Sequence, residues 1–382
     1  MFWGDLEQSH YKPLRHDIST KYLIVGGGIA GLSAAYFLLK KGERDITLIE
    51  RHTVGSGSTG TSAGMLVCEP ETATWAELID RYGHSTVRHF WEAQLEGIAM
   101  VKHIVKKEQL QCDLHEPGLL ILADTPWARM QTHQEFNAHT RMHIPTKLLR
   151  EDVLQKELHS KRFNLAEHLH IGVSVNPLVF AHGLAAYLKK HGVQIHEHTE
   201  LISHTKQLAQ TDSASITYDT CLLCRGTNER HQKLVNYLST ICVTKPLSDS
   251  VLRKLNMLDQ DMFYDHQIRS YHYGKITGDK RLLVGYGDVK FRSPYPASYV
   301  HKPHVRNIKR FLARTFPDIQ LPIERCWSSG YAISTTDLPV IDFKKHTVCI
   351  NGAGSQVTTI AASLYAVEKL LKKTHPLDRL FQ

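Results

Sequence analysis

Three stretches of the chain couple a short apolar run to a helix-spaced apolar stripe. Lys21 to Val25 reads as a buried parallel strand, Ile29 to Lys41 as a helix, and Asp45 to Glu50 as the next strand. Lys40 and Lys41 fall at the negative end of that helix, and Gly42 is placed to cap it. The same grammar runs from Asn176-Pro177, a capping residue and a proline in the first helical position, to Lys189-Lys190-His191-Gly192 and a strand over Val193 to Glu197. A third unit has a strand at Thr347 to Ile350, a turn at Asn351 to Gly354, and a helix from Gln356 to about Lys372. The domain these units build is discontinuous, covering 1–85, 165–235 and 325–382. The amphipathic stretch Val87 to Gln109 and strand-like runs at Leu119 to Leu122 and Arg281 to Val284 belong to a second, inserted domain, 86–164 and 236–324.

A chain of 382 residues, 42% hydrophobic and 22% charged, is long enough for two cores and excludes a disordered or fibrous protein. The net charge of +8 is scattered, so nucleic acid is not an expected partner. Seven widely spaced cysteines suggest reduced thiols in a cytoplasm. No secretory signal opens the chain. The uncharged run Tyr22 to Leu39 imitates a membrane span, but its three successive glycines favour strand, turn and helix.

That turn is Gly26-x-Gly28-x-x-Gly31. Its first glycine makes the tight turn, its second admits a pyrophosphate, and its third lets helix pack on strand. Glu50 ends the next strand, where a carboxylate accepts both ribose hydroxyls and repels a 2′-phosphate, leaving FAD or NAD. The flexible, hydroxyl-rich loop Gly55 to Gly64 suits the longer ligand, FAD. The expected fold class is α/β: a discontinuous Rossmann-type FAD-binding domain with an inserted, mainly antiparallel β plus α substrate domain.

The opening turn, Glu50, the loop Gly57 to Gly64, and Asp337-Leu338-Pro339-Val340-Ile341 followed by Gly352-Ala353-Gly354 together resemble the glycine/D-amino-acid oxidase family of FAD-dependent oxidoreductases. Trp327 to Pro339 looks most like the γ-glutamylputrescine oxidoreductase branch. The resemblance implies that Gly26, Gly28, Ile29, Ala30 and Gly31 face the pyrophosphate, and that Glu50, Arg51 and Leu201 hold the adenosine end. Ser58, Thr59, Ala63, Gly64 and Met65 would line the middle of the ligand and its isoalloxazine. Gly330 and the turn Gly352, Gly354, Ser355 and Gln356 would complete the flavin site, the last helix aiming its positive end at the ring edge that gains charge on reduction. Thr61 replaces the histidine, and Cys326 is displaced from the cysteine, through which relatives attach flavin covalently. Non-covalent FAD is therefore expected.

Tyr271, Tyr273 and Tyr331 are the candidate catalytic residues on the substrate side. Ala332 stands where amino-acid-oxidising relatives carry a carboxylate-binding arginine, although Arg269 or Arg292 offers a substitute cation. Leu283 aligns with an oxygen-activating lysine, for which Lys280 is an alternative. The resemblance thus implies oxidation of a small-molecule amine with oxygen or another electron acceptor. Flavin-dependent tRNA modification and a non-catalytic flavoprotein are the rivals. No metal site is expected: Cys221 and Cys224 lie three apart on a strand and so on opposite faces, and His170, His191, His196 and His198 read as surface residues.

Overall fold

The computed structural model describes residues 2–5, 7–70, 73–258, 262–266, 271–291, 299–336, 338–372 and 374–381. Two eight-stranded sheets carry the fold. In the first, Ile18–Val25 lies between Ser215–Leu223 and Ile46–Ile49, flanked by Thr347–Asn351 and Gln194–His196, all parallel. Val340–Lys344 and the hairpin of Leu201–Thr205 with Leu208–Thr211 extend it antiparallel. Leu23, Ile24 and Val25 are buried, Leu23 and Val25 in a different core from Ile24, which is why this central strand is an unbroken apolar run.

The helices Ile29–Lys40, Pro177–Lys190 and Gln356–Leu371 share one core with this sheet. The second begins as its sequence suggests, with the Asn176 side chain accepting from the Leu178 and Val179 amides at 3.2 Å each. The run from Tyr22 thus divides into strand, turn and helix. No helix among the described residues is long and apolar enough to cross a membrane.

The second sheet runs in the order Ile323–Ser334, Leu234–Thr244, Leu282–Lys290, His272–Ile276, Met262–Asp265, Leu119–Ala123, Leu165–Leu169, Thr146–Arg150. Every pair is antiparallel except Met262–Asp265 with Leu119–Ala123. Its core gathers Phe263, Leu282 and Val284 with Leu252, Ile308 and Phe311 from the helices Asp249–Leu255 and Lys302–Thr315. The mixed α/β class with a largely antiparallel second sheet is the architecture expected.

Pairing bears on the domain edges. Leu165–Leu169 and all of Ile323–Ser334 belong to the second sheet, so we propose edges after Leu169 and after Ser334 in place of 165 and 325. The helix His84–Lys107 lies almost wholly in the segment assigned to the inserted domain, yet it buries Val87, Phe90, Val101 and Ile104 in the core of the parallel sheet.

Cys242 and Cys326, 84 residues apart in sequence, face each other in register on adjacent strands and form a disulfide with Cα atoms 4.1 Å apart. The expectation of reduced thiols is corrected at this pair, because cross-strand register is set by sheet pairing and leaves no trace in cysteine spacing. Cys68, Cys112, Cys221, Cys224 and Cys349 are free and buried.

Candidate active site

The carboxyl ends of the parallel strands open onto a groove of about 450 Å³. Gly26, Gly28, Ile29 and Ala30 form its floor. The helix that starts at Ile29 has no side-chain cap, and the Ile29 amide donates to Thr59 Oγ1 at 2.9 Å. A Cβ on Gly28 would meet Thr59 Oγ1 at 3.3 Å and no other atom within 4 Å beyond its chain neighbours. The fold therefore tolerates a side chain at Gly28, whereas a ligand in the groove does not. Gly31 differs: a Cβ there would lie 2.0 Å from the Gly26 carbonyl oxygen, so this glycine serves helix packing and does not line the groove.

Glu50 accepts from the Gly27 amide at 2.7 Å and the His52 amide at 2.9 Å. Those bonds orient a carboxylate whose remaining lone pairs are available to hydroxyls in the groove. Arg51, Leu201, Ser58, Thr59, Gly352 and Gly354 also line it. Sequence reasoning missed Arg225, Gly226, Thr227 and Asn228, which form the wall just after Ser215–Leu223. Their signal was available: polar residues and a glycine immediately beyond a buried parallel strand sit where such sheets bind ligands.

A cavity of about 390 Å³ continues the groove and shares Ile29, Ser58, Thr59, Tyr331 and Gly354 with it. Ala63, Gly64, Met65, Ser355 and Gln356 line this cavity, as do Tyr271 and Tyr273. Gln356 donates to Ser62 Oγ at 2.5 Å, while its buried Oε1 has no hydrogen-bond partner. An orphaned acceptor of this kind, beside an uncapped helix start and an open Gly28, fits the polar middle of a dinucleotide.

Tyr273 Oη lies 2.9 Å from Ser239 Oγ. Its ring crosses the neighbouring strand at Gly285, where a Cβ would approach the ring to 2.0 Å. Tyr331 donates to Asp288, whose carboxyl is held above its usual range by burial although that bond acts the other way. The Gly330 carbonyl accepts from Ser58 Oγ, and Gly330 lines neither space. Ala332 lines the groove and not the cavity.

Among the described residues, Glu69, Glu135 and His266 are the ionisable groups in the cavity wall besides the tyrosines, and sequence reasoning missed all three. Burial lowers His266 to about 4, leaving it neutral. Burial, reinforced by Glu69, raises Glu135 to about 7. The helix Pro126–Arg141 carried the signal: its buried stripe, Ala128, Thr132, Glu135 and His139, contains two ionisable residues one turn apart.

Other candidates separate in space. Leu283 is fully buried with Ala63 and Trp327, and opposite it in register stands Lys275, also buried. Lys275 donates to Val175 O at 2.8 Å, Ser174 Oγ at 2.9 Å and Gly64 O at 3.1 Å, and burial lowers it to about 7. Lys280 instead pairs with Asp249 in solvent. Thr61 Oγ1 lies 2.9 Å from Ser329 Oγ, and Cys326 is committed to its disulfide. Cys221 and Cys224 do fall in different cores on the two faces of the sheet. His196 Nδ1 lies 3.2 Å from Lys12 O. Arg269, Arg292 and Asp337 lie outside the described residues.

Comparison with known proteins agrees with this geometry. Residues 21–366 match the family model described as DAO, FAD dependent oxidoreductase. The γ-glutamylputrescine oxidoreductase of Escherichia coli is 24% identical over 345 residues, covering 86% of this chain and 78% of that protein. Glycine oxidase from Geobacillus kaustophilus superposes with a TM-score of 0.75 at 18% identity, covering 92% of this chain and 95% of the other. L-proline dehydrogenase from P. horikoshii gives 0.77 at 17%, covering 95% and 96%. The chain belongs to the DAO family of FAD-dependent oxidoreductases.

Proposed function

We propose that this oxidoreductase removes two electrons from the C–N bond of an amine that bears no carboxylate on its reacting carbon, using non-covalent FAD. One observation carries the reading: among the described residues no arginine or lysine lines the cavity beside the flavin groove, and the acids there are Glu69 and Glu135. A substrate carboxylate in such a cavity would lose its hydration without gaining a cation, which is costly. A neutral amine escapes that cost. The similarity to a γ-glutamylputrescine oxidoreductase supports the same substrate class.

When bound, FAD supplies the two-electron acceptor, and the imine product hydrolyses to a carbonyl compound and a released amine or ammonia. The chain's own part is positioning. Ser239 fixes the Tyr273 hydroxyl and Asp288 fixes that of Tyr331, so two aromatic walls with oriented polar tips face one cavity. With Thr61 bonded to Ser329 and Cys326 in a disulfide, neither offers flavin a covalent link.

The test is anaerobic flavin reduction with matched amines and amino acids at alkaline pH, where the amine is neutral. Primary or secondary amines are expected to reduce the flavin at least about tenfold more efficiently than glycine or D-alanine, about 1.4 kcal/mol in transition-state binding. Reduction by the amino acids alone would overturn the reading and point to a cation among Arg269 and Arg292.

A further inference from the structure

Beyond the tyrosines, the cavity wall reaches a buried polar assembly that does not line the groove. Glu135 accepts from the Trp75 amide at 3.1 Å and the Ala76 amide at 3.4 Å, at the start of the helix Trp75–Tyr82. Thr74 and Glu77 already form a capping box on that helix, so these two bonds serve to hold the carboxylate in place. Glu69 Oε1 lies 3.4 Å from Trp75 Nε1 and 3.3 Å from His139 Nε2. On the far side of the ring, His139 Nδ1 meets Glu167 Oε1 at 2.8 Å, and Thr146 Oγ1 donates to the same oxygen at 2.6 Å.

Charge is unbalanced here. Three carboxylates, Glu69, Glu135 and Glu167, surround one imidazole, and all four side chains are buried. His139 Nε2 and Glu167 Oε2 are fully buried without a hydrogen-bond partner, although His139 Nε2 keeps its ionic contact to Glu69. Even with His139 charged, the cluster lacks positive charge on the side where Glu69 and Glu135 face the cavity. Among the described residues, no lysine or arginine of the wall supplies it.

We infer that Glu69 and Glu135 form a subsite for a second, protonated nitrogen of the substrate, so that the enzyme takes diamines or polyamines with one neutral and one cationic end. The inference rests on the amine-oxidising reading and adds the substrate class. An ammonium brings several N–H donors on a point charge, which two converging carboxylates accept. The neutral nitrogen at the other end is the one oxidised.

A divalent metal is the competing occupant, since Glu69, Glu135 and His139 present donor atoms within 4.8 Å of one another. The surroundings of His139 argue against it: each ring nitrogen faces a carboxylate, Nε2 that of Glu69 at 3.3 Å and Nδ1 that of Glu167 at 2.8 Å. Burial opposes its charged form, but Glu69 and Glu167 outweigh burial and raise it to about 10. Both ring nitrogens then carry hydrogen, whereas a metal needs a bare imidazole nitrogen. His139 serves as an internal countercharge that leaves Glu69 and Glu135 to the ligand.

The experiment uses the FAD-loaded protein under anaerobic conditions, with 1,4-diaminobutane and n-pentylamine as a pair that differs mainly by a terminal ammonium or methyl. Binding is read from perturbation of the flavin spectrum and efficiency from the rate of bleaching. The wild type is expected to prefer the diamine at least about tenfold, and Glu69→Gln to abolish most of that preference through the apparent dissociation constant. Glu69→Asp should restore part of it, which a merely structural role would not do. Glu135→Gln repeats the test if it folds; Glu69→Gln alone suffices if it does not. Equal use of both amines by the wild type, or an unchanged preference in Glu69→Gln, overturns the subsite while leaving amine oxidation standing. Bleaching by neither amine overturns the reading beneath it. Stoichiometric zinc retained by the wild type, lost in Glu69→Gln and blocking the diamine, would assign the cluster to a metal.

Discussion

The glycine-lined groove and the tyrosine-lined cavity adjoin, yet they are built in opposite ways. The groove is mostly main chain: glycine turns and helix starts at the ends of parallel strands, with Glu50 oriented by two amides of its own neighbourhood. The cavity is mostly side chain: Tyr273 on one strand, Tyr331 on another, Glu69 after a short strand and Glu135 on a helix. Backbone geometry follows from local order along the chain, so it survives divergence to 18% identity with a TM-score of 0.75. Side chains that converge from distant elements are free to vary, and substrate choice varies with them.

The strongest challenge to this contrast is a side chain in the groove. Gly28→Val is expected to weaken FAD retention by roughly a hundredfold or more while leaving the apoprotein folded, because its Cβ has only Thr59 Oγ1 nearby. Glu50→Ala should cost less, about tenfold to a hundredfold, the worth of a few hydrogen bonds to a charged group. Flavin content after gel filtration, beside the melting curve of the apoprotein, checks both. Full occupancy in the two variants would remove the groove from FAD binding.

A smaller effect is expected at the junction, where Lys275 holds the Gly64 carbonyl of the cavity wall. Leu283 carries no charge, and Lys275 stands opposite it on the same face of the two paired strands. Its pKa near 7 means that the charge fades as pH rises through neutrality. Reoxidation of photoreduced protein by oxygen should therefore be slow and should slow further, about severalfold, between pH 6 and 8, since developing superoxide loses a stabilising charge. Lys275→Met should flatten that profile. Fast reoxidation independent of pH would show that this cation does not act on the reaction.

The smallest effect concerns the cavity wall alone. His139 is raised from 6.5 to about 10, so its contribution to stability is fully present below pH 6.5 and disappears as pH rises towards 10. Glu135, raised to about 7, overlaps the lower edge of that window but is present in both proteins compared. Wild type should thus lose about 2 °C or more of melting temperature relative to His139→Gln between pH 7 and 10. Parallel curves for the two proteins would mean that His139 is neutral, and would revive the metal reading of its cluster.

The sequence by itself determined the nucleotide half of this protein. The run Tyr22 to Val25, the glycines that follow and Glu50 are neighbours or near neighbours in the chain, and each takes its role from local backbone chemistry. The cap at Asn176 was legible for the same reason. What only the tertiary structure decided is whatever depends on register and convergence. The Cys242–Cys326 pair, the placing of Lys275 opposite Leu283 across one strand pair, and the absence of Gly31 and Gly330 from the lining of the groove and cavity all belong there. So does the meeting of Glu69, Glu135, His139 and Glu167, which come from four separate segments. A buried carboxylate shows in sequence only as a polar residue in an apolar stripe; the charge that answers it is found once the chain has folded around the cavity.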